Sequence, residues 1–126
     1  MNTVDGEKST EITIRAQKNE GWADLKLEYF WGGDGKMFSV KTLSYRAGDN
    51  GRSKGNIKLK LISKGNTGWV ELNNDNGIQN GKWHDFVKTL SVEGDAKSVE
   101  IHFNWIYDQS FPRSDINMTG MATSYY

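Results

Sequence analysis

The sequence predicts an all-β protein: one antiparallel β-sandwich, jelly-roll or Greek-key-like, of about eight strands. Three observations carry that prediction. Apolar and polar residues alternate with period two along most of the chain, and no window sustains a helical period. Asx-Gly pairs recur between the alternating runs, at Asp34-Gly35, Asn50-Gly51, Asn76-Gly77 and Asn80-Gly81, and supply the positive φ angles of hairpin turns. The 126 residues hold fourteen Gly, a single Pro and many Thr, Asn and Asp, a composition suited to short strands joined by tight turns. That length suits a single domain spanning 1–126, large enough to bury a real core.

Taken in order, the first strand is expected at residues 10–16, where Ile12 and Ile14 alternate with polar neighbours. At 22–31, Ala23, Leu25, Leu27 and Tyr29 share one face and Asp24, Lys26 and Glu28 the other, as in a strand with one side in the core and one in water. A third strand is expected at 36–46. The run 56–62 sets Ile57, Leu59 and Leu61 against Lys58 and Lys60. Shorter strands are expected at 68–72 and 83–92, with the polar stretch 73–80 between them read as a loop. The clearest alternation lies at 97–107, with Val99, Ile101, Phe103, Trp105 and Tyr107 on one face. A last strand is expected at 116–125.

The pentamer Val-Lys-Thr-Leu-Ser occurs twice, at 40–44 and 87–91. At the same offset Gly21-Trp22 meets Gly68-Trp69, and Ile12 and Ile14 meet Leu59 and Leu61. A weak internal duplication is therefore expected, with the two pentamers in equivalent places and Trp22 and Trp69 as equivalent core plugs. Within the pentamer the apolar residues stand three apart, which breaks the period of two. An extra residue at Lys41–Thr42, a β-bulge, would restore the phase and bend the strand.

Sixteen basic and sixteen acidic side chains cancel. That balance argues against nucleic acid or an anionic membrane as the main partner, since both require clustered Lys and Arg. With no Cys, disulfides, thiol catalysis and thiolate metal sites are excluded. The polar start MNTVDGEKSTEI contains no apolar stretch, so neither a signal peptide nor a transmembrane segment is expected.

No catalytic motif stands out. His84 and His102 could serve a small hydrolase, or a metal site with Asp85, only if their strands were neighbours. The carboxylates Asp24, Glu28, Glu71 and Asp85 occupy alternating surface positions and suit cross-strand charge pairs better than glycoside hydrolysis. Asn73-Asn74-Asp75-Asn76-Gly77 has calcium-loop composition without the EF-hand pattern; a two-loop calcium site would draw on Asp75 with Asp49 or Asp108. The preferred expectation is a hairpin loop with no cofactor.

The aromatics are the richer signal: five Trp and five Tyr exceed what one small core needs. Trp31 precedes Gly32-Gly33-Asp34-Gly35, while Trp105 and Tyr107 precede the loop 108–115, where Phe111-Pro112 favours a cis bond. Rings at a rim, beside loop Asp, Asn, Gln and Arg, suit sugar recognition: the ring stacks on a pyranose and the polar groups bind its hydroxyls. The ligand-binding residues expected on this reading are Trp31, Asp34, Asp49, Asn50, Asp75, Asn76, Gln79, Trp105, Tyr107 and Arg113.

The segment GKWHDFVKTLSVEGDAKSVEIHFNW resembles the later strands of carbohydrate-binding jelly rolls and discoidin-like domains. It is a likeness of strand pattern over about a fifth of the chain, and implies a fold rather than a function. The expected function is a non-catalytic, lectin-like module for glycans or a glycosylated cell surface, acting outside the cell. The alternative is a small effector or toxin that engages a cell-surface protein or lipid without sugar, with homo-oligomerisation open in either case.

Overall fold

The alternation read along the chain becomes two stacked antiparallel sheets in the computed structural model, which describes residues 8–126. Residues 1–7, and with them most of the polar start, lie outside the described residues. The first sheet runs β1 (Thr10–Lys18), β2 (Gly21–Gly32) and β3 (Met37–Ala47). Its far edge is two short strands, β7 (His84–Asp85) and β8 (Thr89–Glu93), which pair in succession with β3. The second sheet runs β10 (Ile116–Tyr125), β9 (Ser98–Tyr107) and β4 (Arg52–Ile62), with β5 (Val70–Glu71) and β6 (Gly77–Gln79) both pairing β4. The sandwich thus has ten strands, four of them short edge pieces. Among the described residues no helix is long and apolar enough to cross a membrane.

The core is made by the inward positions of each alternating run. Leu25 and Leu27 of β2, Phe38 and Val40 of β3, Leu59 and Leu61 of β4, and Ile101 and Phe103 of β9 are all essentially without solvent contact. Burying such side chains stabilises by about 1.5–3 kcal/mol each, the main favourable term of the fold. Along one side of the sandwich β1 packs against β10, and a side chain at Gly120 would collide with the Arg15 carbonyl.

The irregular phase in Val40-Lys41-Thr42-Leu43-Ser44 is a bulge. Lys26 pairs with Ser44 and Leu27 with Thr42, so Leu43 is the extra residue, one or two positions beyond the expected place. Its physical consequence lies at the edge. Thr42, fully buried, donates its hydroxyl to Phe86 O (2.7 Å) and accepts from Lys88 N (2.8 Å), bridging the break between β7 and β8.

The expected duplication is corrected here. The second pentamer does not occupy an equivalent place: it lies beside the first, with Val40 opposite Leu90 and Lys41 opposite Thr89. Val40 is buried, whereas Val87 is 58% exposed. The first copy forms a central strand and the second an interrupted edge. The stretch 73–80, read as a loop, contains β6.

Candidate functional site

The turns 19–20, 48–51, 80–82 and 108–115 meet at one end of the sandwich, and most of the expected binding residues gather there. They are bound to each other. Gln79, without solvent contact, accepts from Trp105 Nε1 (3.2 Å) and Asp108 N (2.8 Å). Its amide donates to Asn50 Oδ1 (2.9 Å) and Asp108 O (2.8 Å). Both ends of this carboxamide are satisfied by protein, so Gln79 is a tie between three loops. Asn50 adds a bond to Asp108 O (2.7 Å), and Arg52 pairs with the Asp108 carboxylate (2.9 Å).

Trp105 is not a rim aromatic. Its indole is fully buried in a slot cleared by two glycines, since side chains at Gly55 and Gly77 would meet the six-membered ring. Nor is Tyr107, which is 3% exposed and donates to Gly48 O (2.9 Å). Burial, with the charges of Asp49 and Glu20, raises the Tyr107 phenol above its ordinary pKa. Asp49 accepts from Gly51 N within its turn (3.1 Å), and Arg113 pairs with Glu20 (3.3 Å) on the loop whose Phe111-Pro112 bond is cis.

At the opposite end, Trp31 packs edge-on against Phe38 and Tyr126 and donates to Ser124 Oγ (3.2 Å), so it seals the sandwich. Asp34 stands in the turn Gly33–Gly35 with φ 57°. Apart from Asp75 and Asn76, the expected residues therefore divide between the two ends and form no common pocket. His84 and His102 lie in different sheets, bonded to Asn80 (2.9 Å) and Glu100 (2.9 Å), which removes the shared histidine site. Among the described residues no group of three His, Asp or Glu converges to hold a metal ion.

The site the sequence did not indicate lies on the outer face of the second sheet. There the pairs Lys60–His102, Lys58–Asn104 and Asn56–Ile106 follow one another along β4 and β9, between the inward pairs of the core. Trp69, expected as a core plug, is 43% exposed beside them. Lys60 Nζ stands 4.8 Å from the ring centroid of Trp69, and His102 meets it edge-on at 6.3 Å.

A depression of about 140 Å³ is lined by Trp69, Lys58, Asn104 and Asn117. A second, of about 300 Å³, continues along the same strands between Asn56, Ile106, Lys54 and the carboxylates of Asp75, Asp108 and Asp115. Together they make a furrow along the sheet. Asn104, 5% exposed, donates to Met118 O (2.9 Å) and to Asn117 Oδ1. Among the described residues, Asn104 Oδ1 and Asn117 Nδ2 have no protein partner, so an acceptor and a donor remain among the residues that line the depression with the indole. Asp75 is the one expected binding residue lining this furrow.

Trp69 stands outside the core because it follows Gly68, whose φ of 65° turns the chain just before β5. Period-two counting does not pass through such a turn. The outward run Lys58, Lys60 and His102, Asn104 was legible, but its facing a tryptophan depends on β5 joining β4.

Comparison of the chain with protein-family models, with curated proteins and with solved structures finds no match.

Proposed function

We propose that this protein is a non-catalytic glycan-binding module, and that the saccharide lies along the furrow on the outer face of the β10–β9–β4 sheet. The observation that carries the reading is Trp69, an exposed ring beside an unpartnered amide acceptor and donor. A pyranose offers one C–H face to an indole, and each of its hydroxyls both donates and accepts. Asn104 Oδ1 and Asn117 Nδ2 match one such hydroxyl, and Ile106 continues an apolar floor toward the acidic end. A partner displaying such sugars, a glycosylated cell surface, is the natural target of so shallow a site.

A glycan array on the purified chain, followed by titration of the hits, tests this. Specific hits are expected, with affinity reduced about tenfold or more in Trp69→Ala. A silent array, or hits that Trp69→Ala leaves unchanged, overturns the proposal.

The second reading, a cell-surface or lipid-binding effector, is favoured by Phe111. That ring is 96% exposed at the tip of the β9–β10 loop, an unusual place for an apolar side chain of its size. Vesicle flotation without sugar, abolished by Phe111→Ser and indifferent to Trp69→Ala, would replace the glycan reading with this one.

A further inference from the structure

On the outer face of the other sheet, three neighbouring strands present Arg15, Asp24 and Arg46 in one row. Asp24 is 3% exposed and accepts from Arg15 Nε (2.8 Å), Arg15 Nη2 (2.9 Å) and Arg46 Nε (3.0 Å). One carboxylate thus fixes two guanidinium groups. Indole rings flank them. Arg15 stands 4.7 Å from the centroid of Trp22, and Arg46 lies between Trp22 (5.7 Å) and Trp83 (4.6 Å). Lys26 Nζ covers Trp83 from 4.6 Å.

Two guanidinium groups share one acid, with the Lys26 ammonium two residues along β2 on the same face, in a chain whose net charge is zero. The other nearby acids of this face are Glu28, two residues along β2 from Lys26, and Asp85, opposite Ser44 on the far side from Lys26; among the described residues neither forms an ion pair with Lys26. Arg46 uses only Nε; among the described residues both of its Nη groups lack a protein acceptor. Those Nη groups form a planar donor edge, the arrangement that binds carboxylate, sulfate or phosphate oxygens in a two-pronged fashion. Surface cation–π pairing alone accounts for the stacking, at about 0.5–1 kcal/mol per contact. It does not account for a second guanidinium on a carboxylate that Arg15 already engages through two bonds.

We infer that this face holds a second binding site, in which Arg46 with Arg15 and Lys26 grips the oxyanion of an acidic saccharide, a uronate or a sulfate ester, while Trp22 and Trp83 flank its ring. Asp24 is a positioning residue: it draws the Nε sides of both guanidinium groups into the sheet and leaves their outer edges for the ligand. The site lies on the sheet opposite the Trp69 furrow and does not depend on it.

The test is calorimetric titration of the full chain with a sulfated disaccharide, a uronic-acid disaccharide, their neutral parent and inorganic sulfate. At least one acidic disaccharide is expected to bind about tenfold or more tightly than the neutral parent, and to weaken as salt is raised. Inorganic sulfate, lacking a ring for the indoles, is expected to bind more weakly than the acidic sugar. Arg46→Gln is expected to reduce the acidic-sugar affinity about tenfold, with a native thermal melt as the folding check. Lys26→Gln, at a half-buried side chain that makes no ion pair among the described residues, gives a smaller loss and keeps the test intact if Arg46→Gln unfolds. Trp69→Ala is expected to leave this binding unchanged. The inference is overturned if neither acidic disaccharide binds, if the neutral parent or inorganic sulfate binds equally well, or if the loss follows Trp69→Ala rather than Arg46→Gln and Lys26→Gln.

Discussion

Replacing Gln79 by Ala separates a structural tie from a ligand contact. The substitution leaves two donors without acceptors: Trp105 Nε1, in a fully buried ring, and Asp108 N, in a residue 8% exposed. The two acceptors it also abandons keep other partners, since Asp108 O retains Asn50 Nδ2 and Asn50 Oδ1 retains Arg52 N. The loss is therefore dominated by the stranded donors, at about 1–3 kcal/mol each, plus about 1 kcal/mol for the space vacated by the carboxamide. A total of about 3–7 kcal/mol is a large share of the 5–15 kcal/mol typical of a domain, and corresponds to a melting point lower by roughly 10–25 °C. Urea denaturation of wild type, Gln79→Ala and the volume-matched Gln79→Met measures it. The Met variant keeps the packing and loses the hydrogen bonds, so it should retain most of the deficit. A change below about 1 kcal/mol in both variants would refute the reasoning. So would a loss of saccharide binding at unchanged stability, which would make Gln79 the ligand contact read from the sequence.

Two further outcomes follow from the first sheet. Burial pushes the Asp24 carboxyl up, but the hydrogen bonds and charges of Arg15 and Arg46 outweigh it and hold the pKa below the ordinary 3.8. A depressed folded-state pKa adds stability that is present above the unfolded value and lost as pH falls through the folded one. Asp24→Asn should thus cost about 1–2 kcal/mol near neutral pH, discounted because both arginines are partly exposed, and the gap to wild type should close in strong acid. Urea midpoints from about pH 7 to about pH 2 check this, and a gap that persists in acid counts against the carboxylate as its source. Thr42→Val keeps shape but removes the hydroxyl that bridges Phe86 O and Lys88 N. A loss of about 1–2 kcal/mol is expected, with faster hydrogen exchange at the Lys88 amide; unchanged exchange there would contradict the bridging role.

What the chain determined by itself was the alternation, and through it the fold class. In β9, β2 and β4 the side-chain period is two and one face must leave water, so Val99, Leu25 and Leu59 could be placed inward from spacing alone. The bulge near Thr42 was legible for the same reason: apolar residues three apart cannot share a strand face without an extra residue. Tertiary structure decided which strands became neighbours, and with that the meaning of every aromatic. Trp105 ends a strand in sequence, yet it fills the slot over Gly55 and Gly77 because β6 folds back onto β4. Trp69 and Trp83 follow or precede turns, where period counting stops, and each is set on an outer sheet face by a short edge strand. The repeated pentamer shows the limit plainly. Identical residues carry the same local preferences, but one copy has a strand on both sides and the other has water on one, and only long-range pairing assigns those places.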